Sequence, residues 1–93
     1  MEHLSIKDIH DRLQELSGWE MSDHSSIFKE FEFANFKEAM EFAQKVGEEA
    51  QRENHHPDIL IRYNKVTLTL TTHDEACLTY KDFKMAKIIE QLT

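Results

Sequence analysis

The chain has 93 residues, a single cysteine and a formal net charge of −7 at pH 7. That length holds one hydrophobic core, so residues 1–93 read as a single domain. Eleven Lys and Arg scattered among 18 Asp and Glu cannot build the basic surface that a nucleic-acid backbone requires, and direct nucleic-acid binding is not expected.

One cysteine, Cys77, permits no internal disulfide and suits a reducing compartment. Residues 1–8 lack the apolar stretch of a signal peptide, and no apolar run approaches the ~20 residues of a membrane span, so a cytoplasmic protein without a membrane partner is expected. The two glycines, Gly18 and Gly47, are too far apart to assemble a phosphate-binding loop.

Taken in order, Ser5 with Asp8 three residues on is a capping-box pattern, and Ile6, Ile9, Leu13 and Leu16 follow at helical spacing up to a stop at Ser17-Gly18. Trp19 to Met21 is a short extended candidate, followed by turn composition at 22–25. Ile27 to Phe33 predicts a strand with Ile27, Phe31 and Phe33 on one face and Glu30 and Glu32 on the other, although Phe28 breaks the alternation. Asn35 with Glu38 caps a second helix, whose stripe is Phe36, Ala39, Met40, Ala43, Val46 and Ala50. Gly47 costs that helix about 1 kcal/mol, which close packing at that point would justify.

The helix should fade at 52–54, ahead of Pro57, which pushes His56 out of helical backbone. Residues 59–73 then read as a hairpin, with its turn at Asn64-Lys65 and a strict alternation of Val66, Leu68 and Leu70 with threonines. Thr79 and Asp82 form a third capping-box pattern, opening a helix with Phe83, Ala86, Ile89 and Leu92. The order α-β-β-α-β-β-α predicts an α+β fold: a two-layer sandwich of a four-stranded antiparallel sheet with three helices on one face. The sheet edges would then be open to association.

The candidate site lies at Glu53-Asn54-His55-His56-Pro57-Asp58, because a hairpin returns His73 toward His55 and His56. Imidazoles titrate near neutral pH, and two or three around one pocket can protonate a leaving group while removing a neighbouring proton, as a dehydration requires. Other readings stand beside it. His55 and His56 fit as polar residues at a helix C-terminus. His55, His56 and His73 with Glu53 fit as zinc ligands, although no spaced metal motif is present. Cys77 with His73 fits as a nucleophilic couple. His3, His10 and His24 have no partner pattern, and Asp82 is either a cap residue or the orienter of a histidine.

The set Glu53-Asn54-His55-His56-Pro57-Asp58, Tyr63-Asn64-Lys65-Val66, Leu70-Thr71-Thr72-His73 and Asp82, with Gly18-Trp19 and residues 27–33, resembles the pterin-4a-carbinolamine dehydratases over nearly the whole chain. The combination at these separations is far more specific than any one part. The resemblance implies a hydro-lyase that converts 4a-hydroxytetrahydropterin to the quinonoid dihydropterin and water, in tetrahydrobiopterin recycling after an aromatic amino acid hydroxylase. It implies catalytic His55, His56 and His73, with Pro57, Glu53, Asp82 and Thr72 around the substrate. The pterin is the substrate, and neither a separate cofactor nor a metal is expected. It further implies a homodimer or homotetramer. The alternative it carries is a non-catalytic pterin-binding module or a dimerisation cofactor for a transcription factor. One departure is Gln51, where many family members place an acid four residues before the first histidine.

Overall fold

The alternation of Val66, Leu68 and Leu70 with Thr67 and Thr69 puts three apolar side chains on one face of a strand, and all three are fully buried. Each such burial contributes about 1.5–3 kcal/mol, which favours an interior place in a sheet for this segment. The computed structural model describes residues 4–23, 25–72 and 77–93. Its elements are α1 (Ile6–Gln14), β1 (Glu20–Ser22), β2 (Ser26–Glu32), α2 (Phe36–Glu53), β3 (Asp58–Arg62), β4 (Lys65–Leu70) and α3 (Tyr80–Glu90). The strands form one antiparallel sheet in the order β1-β2-β4-β3, with β4 inside it and β3 at an edge.

The three helices cover the sheet face that carries Ile27, Phe31, Val66, Leu68 and Leu70. Ile9, Phe42, Val46, Phe83 and Ile89 from the helices complete the core with them. The result is the α+β two-layer sandwich that the element order predicts. Lys29 also sits on the helix-covered face, and its charge is met by Glu90 at 2.7 Å and the Ser17 carbonyl at 2.8 Å. Trp19 Nε1 donates to the same Glu90 carboxylate at 3.0 Å, so a half-buried acid ties β2 and the α1–β1 link to the end of α3. Gly18 serves this link with a φ of +87°, and a side chain there would crowd that of Lys29.

The predicted caps are present, with differences in detail. Ser5 and Asn35 each accept from a backbone N–H three residues on. Glu38 completes no box with Asn35, because its carboxylate accepts instead from the Ala34 N–H. Thr79 and Asp82 form the full reciprocal box. Three local expectations are corrected. Helix α1 ends at Gln14, short of Leu16. The hairpin turn is Tyr63-Asn64, with the positive φ (57°) on Tyr63, because Asn64 is engaged elsewhere. Its side chain donates to the Phe33 carbonyl and its carbonyl accepts from the Phe33 N–H, pinning the turn to the end of β2. Gly47 has open space around it, so no close approach calls for it.

Candidate active site

The site begins with how α2 stops. Asn54 takes the left-handed conformation (φ 53°, ψ 42°), where asparagine is tolerated. The Asn54 N–H donates to the Gln51 carbonyl and the His55 N–H to the Ala50 carbonyl, the paired bonds of a Schellman ending. The asparagine and these bonds, with Pro57 beyond, make a sharp corner. It leaves His55 and His56 on opposite errands.

The His55 ring is mostly buried and reaches α3, where Nε2 lies 2.6 Å from Asp82 Oδ1. The His56 ring is exposed and lies against its own helix, with Nε2 3.0 Å from Gln51 Oε1. The residue that departs from the family pattern therefore holds His56 through a neutral amide.

Asp82 is wholly buried, and its carboxylate is matched by donors. Oδ2 accepts from the Thr79 N–H at 3.0 Å and from the Thr72 hydroxyl at 2.9 Å, while Oδ1 faces His55. A buried carboxylate is tolerable only with such compensation. Asp82 is both cap residue and histidine partner; the two roles use different oxygens and do not compete. Thr72 Oγ1 also lies 2.7 Å from Thr79 Oγ1, in a fully buried contact. An antiparallel bridge joins Thr72 to Cys77, with the Thr72 N–H donating to the Cys77 carbonyl.

The register explains why Thr72 arrives here. Asp58 pairs with Thr69, so the strand that leaves the His56-Pro57 corner is matched by the returning end of β4. The chain just after β4 is thus carried back to the corner. His73, Asp74, Glu75 and Ala76 lie outside the described residues, as do His3 and His24. The convergence expected of His73, its couple with Cys77 and a three-histidine zinc site fall there too. Among the described residues no group of three His, Cys, Asp or Glu side chains is placed to hold a metal ion.

Above His55 is a small cleft of about 110 Å³, lined by Glu53, His55, Tyr80, Lys81, Lys84 and Met85. Glu53 turns toward α3 and pairs with Lys84 at 3.0 Å. Tyr80 and Lys84 were not singled out from the sequence; both lie in the first turns of α3, one and five residues after Thr79, which was. A larger groove of about 700 Å³ lies elsewhere, between Phe36, Met40, Ile59 and Ile61. It is apolar and has no histidine in its lining, whereas His55 lines the smaller cleft.

A sequence model described as pterin 4 alpha carbinolamine dehydratase matches residues 2–92. The chain belongs to this family. Curated relatives carry the provisional name pterin-4-alpha-carbinolamine dehydratase. One from Picosynechococcus sp. is 45% identical over 96% of this chain and 96% of its own. One from Acidobacterium capsulatum is 46% identical over 99% of each chain. Among solved structures, a transcriptional coactivator/pterin dehydratase from Brucella melitensis superposes with a TM-score of 0.92, 32% identity and 98% coverage of both chains. A pterin dehydratase-like RuBisCO assembly factor of the alpha-carboxysome aligns over 81% of this chain and 88% of its own, with a TM-score of 0.69. At 18% identity it shares the fold alone. No helix among the described residues is long and apolar enough to cross a membrane.

Proposed function

We propose that this member of the dehydratase family converts 4a-hydroxytetrahydropterin to quinonoid dihydropterin and water by histidine acid–base catalysis. The observation that carries this reading is the 2.6 Å contact between His55, which lines the cleft, and the buried Asp82 behind it. The reaction breaks the C4a–O bond, with a proton delivered to the departing hydroxyl, and forms the N5–C4a double bond as the N5 proton is removed. Both transfers suit imidazole.

In this proposal His55 and His73 share the two proton transfers and His56 positions the pterin. Thr72, immediately before His73, bonds to the carboxylate that holds His55, which supports assigning the two histidines to one site. Asp82 and Thr72 are buried, so they act behind His55 rather than against the pterin. Glu53 and Pro57 border the corner, with Glu53 at the cleft wall. The setting is cytoplasmic, and the substrate comes from an aromatic amino acid hydroxylase in tetrahydrobiopterin recycling. No separate cofactor or metal enters the proposed steps. A His56→Ala variant tests the division of labour: KM should rise about tenfold or more with kcat within a few-fold of wild type. A collapse of kcat at unchanged KM would assign His56 to the proton transfers instead.

Self-association is part of this reading. Strand β3 is an edge, and Leu60 on it is 54% exposed. Antiparallel pairing of two copies of β3 about Leu60 sets Asp58 of each copy opposite Arg62 of the other, a complementary match made twice. The apolar groove of Phe36, Met40, Ile59 and Ile61 lies beside that edge. A homodimer built this way predicts that Leu60→Lys elutes and sediments as a monomer where wild type does not; an unchanged mass for the variant would place the interface elsewhere. The open sheet face mixes Glu30 and Glu32 of β2 with Lys65 and Arg62 and forms no basic surface, and nucleic acid is not a proposed partner.

A further inference from the structure

The hydrogen bonds behind His55 have a direction, and that direction selects one tautomer of the ring. The carboxylate at one end sets it, because an ionised carboxylate can only accept and each hydroxyl has one proton to give. The Lys81 N–H donates to Thr79 Oγ1 at 3.3 Å, and the Thr79 N–H donates to Asp82 Oδ2 at 3.0 Å. Thr79 has one hydroxyl proton, and its 2.7 Å neighbour is Thr72 Oγ1. Thr72 also has one, and Asp82 Oδ2 is 2.9 Å away. The arrangement that gives every proton an acceptor runs from Lys81 to Thr79, from Thr79 to Thr72, and from Thr72 to Asp82. Reversing it sets the Thr72 lone pairs against a carboxylate oxygen and leaves the Thr79 hydroxyl proton with no acceptor among these groups.

Asp82 Oδ2 then receives two donors and the carboxylate acts only as an acceptor. Oδ1 faces His55 Nε2 at 2.6 Å, and the matching state of that nitrogen is Nε2–H. All these side chains except His55 are buried, so water does not compete for the bonds.

We propose that Thr79 and Thr72 are positioning residues: their hydroxyls form a one-way chain that holds Asp82 as acceptor and His55 as the Nε2–H tautomer, leaving Nδ1 to exchange a proton with the substrate. This deepens the dehydratase reading for its catalytic step. The tautomer itself is measured without substrate, so an inactive wild type showing the Nε2–H form would sink the dehydratase reading alone.

The test is ¹⁵N NMR of the His55 ring at mildly alkaline pH, in wild type, Thr72→Val, Thr72→Ser, Thr79→Val and Thr79→Ser. Wild type should show a protonated Nε2 and an unprotonated Nδ1. Both valine variants should show a mixture of tautomers, with kcat about tenfold lower at little-changed KM, and both serine variants should restore the wild-type pattern. Thr79→Val also loses a helix cap, so Thr72→Val, which caps nothing, is the cleaner comparison. An Nδ1–H tautomer in wild type overturns the proposal even if no variant folds. So does a folded Thr72→Val that keeps the Nε2–H form and the wild-type kcat, because the hydroxyl would then only fill space.

Discussion

Asp82→Ala is expected to destabilise the protein by about 3–5 kcal/mol, the cost of breaking a buried, fully compensated charged group. The loss has separate sources that act in one place. The Thr79 N–H loses its acceptor at the first turn of α3, the Thr72 hydroxyl loses the end of its chain, and His55 loses the contact that holds its ring. The methyl group that remains also leaves a void among buried neighbours. Thermal and denaturant unfolding measure the effect. Asp82→Asn should keep the cap and the Thr72 contact through its amide oxygen and cost less, while presenting its NH₂ to His55 Nε2–H, a donor against a donor. It should therefore retain most of the stability and lose most of the turnover. If Asp82→Ala unfolds within about 1 kcal/mol of wild type, the carboxylate is not the keystone of this end of the fold.

The second large effect is on chemistry. His55→Gln is expected to lower kcat by about 10²–10⁴-fold, the usual worth of a positioned general acid or base. Glutamine can still offer an N–H to Asp82 Oδ1, so the buried carboxylate keeps a donor and the fold is spared. His55→Ala strips away the donor as well and should lose stability alongside turnover. The contrast between the two variants separates proton transfer from structure. A His55→Gln enzyme within threefold of wild-type kcat would remove His55 from the proton transfers.

What could be read before the structure, and what could not, follows from the range of the interactions concerned. The strand at 65–70 announces itself because one face is fully buried and period two is strict. The helix starts are equally local: a side-chain oxygen and an N–H three residues away suffice. The turn at Tyr63-Asn64 lies one residue before the position that local preference favours, because Asn64 is recruited by Phe33, a contact across 31 positions. Lys29 on the helix-covered face is the same lesson, since its ion pair with Glu90 spans 61 positions.

The candidate site divides in the same way. The corner at Asn54 to Pro57 was legible from the helical pattern and the proline, and its histidines were identified by type and spacing. Asp82 was visible only as a choice between cap and histidine partner. The structure shows that one carboxylate fills both roles because its two oxygens point to different neighbours. The local pattern marks Thr79 only as a cap, and nothing local signals its hydroxyl contact with Thr72, beside the bridge between Thr72 and Cys77.

The most direct measurement is the dehydration rate of freshly generated 4a-hydroxytetrahydropterin at neutral pH, with and without the wild-type protein, after treatment of the protein with a chelator. The account predicts acceleration over buffer that survives the chelator and collapses in both His55→Gln and His73→Ala. A folded wild-type protein that leaves the spontaneous rate unchanged would contradict it, and would turn the same fold toward a pterin-binding or dimerisation role.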